Sequence, residues 1–334
     1  MKPSELFSAL NGLIDVRLPA FIWGSPGIGK SEIVAQVAES RATPKKPYEL
    51  RDVRLGLMDP TDIKGFPCPE PAKNQMRWLP PDFLPTKGSG LLFLDELTTA
   101  PPAVQAASYQ LVLNRKVGNY SLPPGWDIVA AGNKESDRAV SHRMSTALAN
   151  RLIHLHLEPD LDEWVAHAMD KGIHEHRIAF LRFRSNLLHV FDPNTKTHAF
   201  PSPRSWFFLD KIAQGAGLKG QVEYDVLKGT VGEAAATEYT SFIRVIRDLP
   251  TIDEIRVNPD GTPMPESPAT LYALTTMLSM ATTESGYSRL MQFVSRMPRE
   301  FQVVYIRDCL QRVNKIKFDP AYSTWALANQ DVLT

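Results

Sequence analysis

A run of eight residues near the start of the chain has the composition and spacing of a phosphate-binding loop. It reads Gly24, Ser25, Pro26, Gly27, Ile28, Gly29, Lys30 and Ser31. Glycines let the backbone turn tightly enough for several N–H groups to face phosphate oxygens, and the positive end of a following helix reinforces the site. In such a loop Lys30 reaches the β- and γ-phosphates and the Ser31 hydroxyl binds Mg2+. The run therefore predicts binding of a nucleoside triphosphate.

Two acids at the end of an apolar run, 91–94, predict what happens to that nucleotide. The run is continuous and ends in Asp95 and Glu96, which is typical of a buried parallel strand whose carboxyl end carries function. We expect Asp95 to hold Mg2+ through its water shell, and Glu96 to orient and polarise an attacking water. The pair favours turnover of the nucleotide over phosphoryl transfer to a small acceptor.

Two further residues are candidates for the same chemistry. Asn133 follows the apolar segment 126–131, where its side chain could hold the attacking water; capping of a turn is the alternative. Arg151 follows a short helix and has no evident partner in its own site. In a ring of subunits it would point into the neighbouring site and stabilise charge in the transition state. A solvated surface arginine is the alternative for Arg151, and Arg138 and Arg143 compete for the role.

Arg204 is a candidate because of its place in a predicted helix. Ser202 suits the N-cap and Pro203 the first helical position, so Arg204 falls in the first turn of a helix over 202–215. A cation is disfavoured at a helix N-terminus, which makes an anionic partner plausible. A solvent-facing arginine is the alternative.

The elements that must position these residues follow an α/β pattern. Five segments predict strands and alternate with helical patterns: 18–23, 48–55, 91–95, 126–131 and 152–157. This alternation predicts a five-stranded parallel sheet covered by helices on both faces. Ligands bind beyond the carboxyl ends of such strands, where the phosphate-binding loop, the two acids and Asn133 all fall.

The remainder of the chain predicts helices. We expect a nucleotide-binding domain over 1–159, a helical lid over 160–250 and a C-terminal helical extension over 251–334. The predicted helices are 161–171, 174–191, 202–215, 224–249, 269–283, 287–297 and 299–313. The last three either pack onto the lid or bind a partner, and the sequence does not separate these readings.

In the order of its motifs, the chain resembles an AAA+ ATPase. The motifs that carry this resemblance are Walker A at 24–31, Walker B at 91–96, sensor 1 at Asn133 and an arginine finger at Arg151. Finer features look like the MoxR branch, and they lie at 59–65, 95–105, 122–126 and 201–204. The likeness covers about residues 5–215. The chain departs from the usual pattern at Asn133-Lys134, where Asn-Pro is usual, and at 150–152, where Asp-Arg-Phe is frequent.

This resemblance implies an oligomeric enzyme that hydrolyses ATP with Mg2+. Members of the branch form hexameric rings and commonly act as chaperone-like remodelling ATPases beside a von Willebrand factor A-type protein. By resemblance, Arg204 is the sensor 2 arginine of the lid and contacts the γ-phosphate. The segment 132–137 has its Asp one position too late for guanine recognition, so ATP is favoured over GTP.

Composition narrows the class of partner. The chain has 37 basic and 37 acidic residues, so it has no overall attraction to nucleic acid or to anionic membranes. Cys68 and Cys309 form no metal-binding pattern. The first six residues lack the apolar core that a signal peptide has, and the apolar segment 269–281 is too short to span a bilayer. We therefore expect a cytoplasmic protein with reduced thiols.

Two other functions stay open at this stage. One is a nucleic-acid motor or loader, against which the neutral charge counts. The other is a nucleotide-gated assembly scaffold with slow hydrolysis. The segment 115–124 predicts a hairpin around Gly118-Asn119. For a ring with a pore, this segment and 65–83 could supply loops, and Trp78 or Tyr120 could grip a substrate chain.

Overall fold

The computed structural model describes residues 1–134, 137, 144–195 and 197–330. The chain forms two compact units. The first contains Met1–Asp160 and the short segment that begins at Phe191, and the second contains Leu161–Val190 and the chain from Thr197 onward. The division into three domains at 159 and 250 stays a prediction.

A five-stranded parallel sheet forms the centre of the first unit. Its strands are β1 (Ala20–Trp23), β2 (Glu49–Arg54), β5 (Ser89–Asp95), β8 (Gly125–Gly132) and β9 (Ile153–His156), in the order β2-β5-β8-β1-β9. Two antiparallel hairpins lie outside it, β3 (Phe66–Glu70) with β4 (Gln75–Leu79), and β6 (Lys116–Val117) with β7 (Tyr120–Ser121). The helices of this unit are α1 (Pro3–Asp15), α2 (Lys30–Arg41), α3 (Pro60–Lys64), α4 (Pro102–Asn114) and α5 (Thr146–Ala149). The predicted fold class is confirmed.

Burial on both faces explains why the central strands β1, β5 and β8 are largely apolar. Successive side chains of a strand point to opposite faces. On β5, Leu92 and Leu94 join one hydrophobic cluster, whereas Leu91 and Phe93 join the other. Helices cover both faces, so the only polar side chains that the central strands can present to a ligand are those at their ends.

The second unit is helical. Its helices are α6 (Leu161–Asp170), α7 (Glu175–Phe183), α8 (Pro203–Gly215), α9 (Gly220–Val231), α10 (Glu233–Val245), α11 (Ile252–Val257), α12 (Pro268–Ala281), α13 (Tyr287–Val294), α14 (Arg299–Arg312) and α15 (Pro320–Ala328). The single helix predicted over 224–249 is wrong. It is broken at Gly232, whose φ is +83° and on which a Cβ would lie 2.9 Å from the Ala199 carbonyl oxygen. Glycine alone adopts that conformation readily.

The C-terminal helices pack onto the predicted lid helices within this second unit. Arg182 of α7 and Asp308 of α14 form a buried ion pair in which two guanidinium nitrogens donate to the two carboxylate oxygens at 2.7 and 2.6 Å. The hydroxyl of Ser279, on α12, donates to the same carboxylate at 3.2 Å, and that of Thr276 accepts from Arg182 at 3.1 Å. The structure thus favours packing for these helices.

The hairpin formed by β6 and β7 is confirmed, but the hypothesis that Tyr120 grips a substrate is wrong. Tyr120 is 8% exposed and its hydroxyl donates to the Pro85 carbonyl at 2.6 Å, and burial raises the pKa of the phenol to about 12. Trp78 is half-buried on β4, and Phe66 on the same hairpin is exposed. In the described part of the chain, no helix has both the length and the apolar character needed to cross a bilayer.

The buried pair generates a prediction about stability. Asp308→Ala should lower the free energy of unfolding by about 3–5 kcal/mol, because it leaves the Arg182 guanidinium buried without its counter-charge. The control is Asp162→Ala, which removes an exposed pair of the same two residue types, between Asp162 and Arg307, and should cost about 0–1 kcal/mol. Urea denaturation followed by circular dichroism measures both. Equal losses of unfolding free energy in the two variants would contradict the assignment of Arg182 and Asp308 as a buried ion pair.

Candidate functional site

The phosphate-binding loop connects β1 to α2 at the carboxyl end of the sheet. Gly27 and Gly29 have φ values of +78° and +100°, which favour glycine, and α2 begins at the next residue, Lys30. The amide of Gly24 donates to the Gly132 carbonyl at 3.3 Å, so the loop starts in contact with the end of β8. The structure therefore gives the loop the strand–turn–helix context that the motif requires.

Lys30 connects the loop to the end of β8. Its side chain is buried, and its ammonium donates to the carbonyl oxygens of Gly24 at 2.6 Å and Ser25 at 3.1 Å. It also donates to Oδ1 of Asn133 at 3.1 Å. Asn133 thus faces the lysine of the phosphate-binding loop, as a residue that contacts the γ-phosphate would.

Ser31 and Asp95 supply the oxygens for a metal ion. The Ser31 hydroxyl donates to Oδ2 of Asp95 at 3.0 Å. A hydroxyl and a carboxylate at this separation fit Mg2+, which prefers oxygen ligands and is usually bound through few protein groups together with substrate phosphates. These two residues, predicted as metal ligands, are brought together.

Glu96 is held in a strained conformation beside them. Its φ is +58°, a value that costs a residue with a side chain about 1–3 kcal/mol. Its amide donates to Oδ1 of Asp95 at 2.8 Å, and its carbonyl accepts from the hydroxyl of Thr99 at 2.8 Å. These bonds fix where the glutamate leaves the backbone, and therefore where its carboxylate can reach.

Gly56 makes room for that carboxylate and was not singled out from the sequence. It lies in the short 3-10 turn Leu55–Leu57 that follows β2. A Cβ on Gly56 would lie 2.8 Å from Oε2 of Glu96 and 2.8 Å from Oγ1 of Thr99. The only signal in the sequence was a glycine directly after a predicted strand.

Asp52 on β2 is a second residue near the site that was not predicted from the sequence. Burial, and then the neighbouring Asp95, raise the pKa of its carboxyl, whereas Arg54 lowers it.

Arg151 lies at the other end of the sheet. It precedes β9, whose first residue pairs with the first residue of β1, whereas the phosphate-binding loop follows the last residue of β1. One guanidinium nitrogen donates to the Ala147 carbonyl at 2.8 Å, and the group lies over the ring of Tyr109 at 5.4 Å. Arg151 also lines a cavity of about 220 Å³ that includes Arg17 and Arg115. It is therefore not part of its own chain's phosphate site, and the competing Arg138 and Arg143 lie outside the described residues.

Arg204 lies in the second unit, in the first turn of α8. The helix begins at Pro203, as predicted, and the Ser202 hydroxyl caps it by accepting from the amide of Ser205 at 3.1 Å. Contact of Arg204 with a γ-phosphate stays a prediction.

Comparison with known proteins gives distant structural similarity only. No protein-family model and no curated protein match the chain. Among solved structures, NtrX from Brucella abortus in complex with ADP has 15% identity and a TM-score of 0.43, over 92% of this chain and 68% of that one. A candidate ATPase of Cytophaga hutchinsonii has 15% identity and a TM-score of 0.37, over 90% and 79% of the two chains. A RuvB mutant of Thermotoga maritima has 15% identity and a TM-score of 0.38, over 73% of this chain and 67% of that one. Similarity at this level carries no functional inference.

Gly56 provides a test of the site's geometry. If Glu96 activates the attacking water, as the sequence predicts, Gly56→Ala should lower the kcat for ATP hydrolysis about tenfold or more, because the added methyl group displaces the Glu96 carboxylate, while affinity for ATP stays unchanged. The control is Gly229→Ala on α9, since a Cβ there meets no atom within 4 Å. Steady-state phosphate release and titration with a fluorescent ATP analogue measure the two quantities. An unchanged kcat in Gly56→Ala would show that Glu96 does not act from this position.

Proposed function

We propose that this chain is an AAA+ ATPase of the MoxR type, which couples hydrolysis of ATP to the remodelling or activation of a protein partner. One observation carries the proposal. The Lys30–Asn133 and Ser31–Asp95 hydrogen bonds bring four residues from three separate motifs together where strands β1, β5 and β8 end. Motif matches alone are hypotheses, and this spatial agreement is the context that supports them.

The loop and its lysine account for binding of the nucleotide. Backbone amides of 24–31 and the N-terminus of α2 face the phosphates, and the Lys30 ammonium exchanges its loop carbonyls for phosphate oxygens. Ser31 and Asp95 hold the magnesium ion, which when bound neutralises charge on the β- and γ-phosphate oxygens.

Glu96 and Asn133 account for hydrolysis. The Glu96 carboxylate accepts a hydrogen bond from the attacking water, orients it and takes up its proton. The Asn133 side chain, held next to Lys30, positions the water or the γ-phosphate. The strained backbone of Glu96 fixes the direction from which its carboxylate acts.

Arg151 requires a second subunit for its role. Because it lies at the amino end of the sheet, its guanidinium serves the site of a neighbouring copy, in a ring that we propose to be a homohexamer.

Arg204, on the lid, contacts the γ-phosphate from the second unit. We further propose a cytoplasmic protein with a von Willebrand factor A-type partner. The balanced charge favours a protein over a nucleic acid as the target.

Glu96→Gln tests the assignment of hydrolysis. We expect the rate to fall about 100-fold or more, because the amide does not take up the proton of the water, while ATP still binds. Glu39→Gln, on the exposed end of α2, is the control and should hydrolyse normally. If Glu96→Gln and the unmodified chain released phosphate equally fast, the proposed catalytic role would be wrong. Affinity capture on the ATP-loaded Glu96→Gln ring then retains the partner.

A mixing experiment tests whether Arg151 acts on a neighbour. Arg151→Ala subunits keep an intact site and lack the finger, and Glu96→Gln subunits keep the finger and lack a working site. Each should be inactive alone, and a mixture should regain activity where a Glu96→Gln subunit presents Arg151 to an intact site. Activity that stays absent at every mixing ratio would exclude a role in trans.

A further inference from the structure

An aromatic contact joins the strand before the phosphate-binding loop to the segment that carries Arg151. Trp23, the last residue of β1, directly precedes Gly24, and its indole N–H donates to Nδ1 of His154 at 2.8 Å. The two rings are stacked, with their centroids 5.9 Å apart at an angle of 22°. The other imidazole nitrogen, Nε2, lies 2.9 Å from the carbonyl oxygen of Ala149, the last residue of α5.

The chemistry of the two partners fixes the state of the imidazole. An indole N–H only donates, so Nδ1 of His154 accepts; a carbonyl only accepts, so Nε2 carries the proton. Both ring nitrogens are therefore engaged, and the neutral ring has one orientation. The His154 ring therefore holds the Trp23 indole and the Ala149 carbonyl at a fixed separation.

The position of Arg151 depends on α5, which is too short to be stable alone. The helix has four residues, and helices of this length form only through contacts with the rest of the fold. Leu148 anchors it in the same hydrophobic cluster as Phe21 of β1, and Ala149 is anchored by His154. Arg151 in turn donates to the Ala147 carbonyl of that helix. Loss of the bond to Ala149 therefore removes one of the contacts that hold the segment from which the guanidinium projects.

We propose that His154 is a positioning residue that couples the phosphate-binding loop of one subunit to the Arg151 which the same subunit presents to its neighbour. The inference rests on the proposed function. The imidazole bonds both to Trp23, which adjoins the loop, and to Ala149, so a displacement of Trp23 would be passed on to the finger segment. His154 contacts no phosphate and acts only through Arg151.

His156 supplies a matched control on the same strand. Its ring also stacks on Trp23, with centroids 6.3 Å apart at 13°, but its described side-chain contacts include no hydrogen bond to Trp23 or to α5. Replacement of either histidine by Phe keeps an aromatic ring beside Trp23. Only His154→Phe also removes both hydrogen bonds.

The mixing experiment locates the effect. Placed in the Glu96→Gln subunit that donates the finger, His154→Phe should lower the restored rate about tenfold or more, because a misplaced guanidinium loses most of its effect. His156→Phe in the same subunit should leave the restored rate unchanged. His154→Gln, whose amide nitrogen can donate to Ala149 in place of Nε2, should recover much of it.

The reciprocal placement separates positioning from general damage. His154→Phe in the Arg151→Ala subunit, which supplies only the working site, should leave the restored rate within about twofold, since its own finger is absent. Full restoration by a donor with His154→Phe, or equal losses in both placements, would overturn the inference. If the mixture without any His154 change fails to regain activity, the proposed role of Arg151 in trans is wrong, whatever the His154 variants do.

Discussion

The alignment of strand ends is the constraint on which the site depends. Lys30 and Ser31 follow β1, Asp95 ends β5 and Asn133 follows β8, so these residues meet only if the three strands stop at the same level. The register provides this: Trp23 pairs with Gly132, and Leu94 pairs with Ala130. Burial of apolar side chains on both faces of β5 and β8 fixes that register, because a shift of one residue would exchange the two faces of a strand. The hydrophobic core thereby determines the geometry of the polar site.

The sequence predicted those parts of the fold and site that depend on local pattern. The five predicted strands of the sheet agree with the observed ones to within two residues at each end, and for β1, β5 and most of β8 the signal is an apolar run, which burial on both faces demands. Asp95 and Asn133 were found for the same reason, since each directly follows such a run, whereas the phosphate-binding loop was found by its own composition and spacing. The chemical roles of these residues stay predictions.

Features set by distant contacts could not be predicted. Gly232 breaks a helix because of the carbonyl of Ala199, more than thirty residues earlier, and a glycine within a helical pattern costs only about 1 kcal/mol. Tyr120 looked exposed because a hairpin pattern does not reveal which side faces the core. Gly56 gains its importance from the Glu96 side chain, and Arg182 from Asp308. None of these pairs leaves a signal in a single sequence.

The two ends of the sheet have different chemistry, and β1 is the shortest path between them. It has four residues, so the phosphate-binding loop and the start of β9 are separated by roughly 13 Å of strand. Its backbone is hydrogen-bonded on both sides, to β8 and β9, and cannot slide independently. A change at the loop can therefore reach the other end through side chains on one face of the sheet. Trp23 and His154 lie on that face, and the hydrogen bonds of His154 extend to α5, the helix that precedes Arg151. The strand pairing that builds the phosphate site thus also limits the routes by which nucleotide binding there could affect a neighbouring subunit.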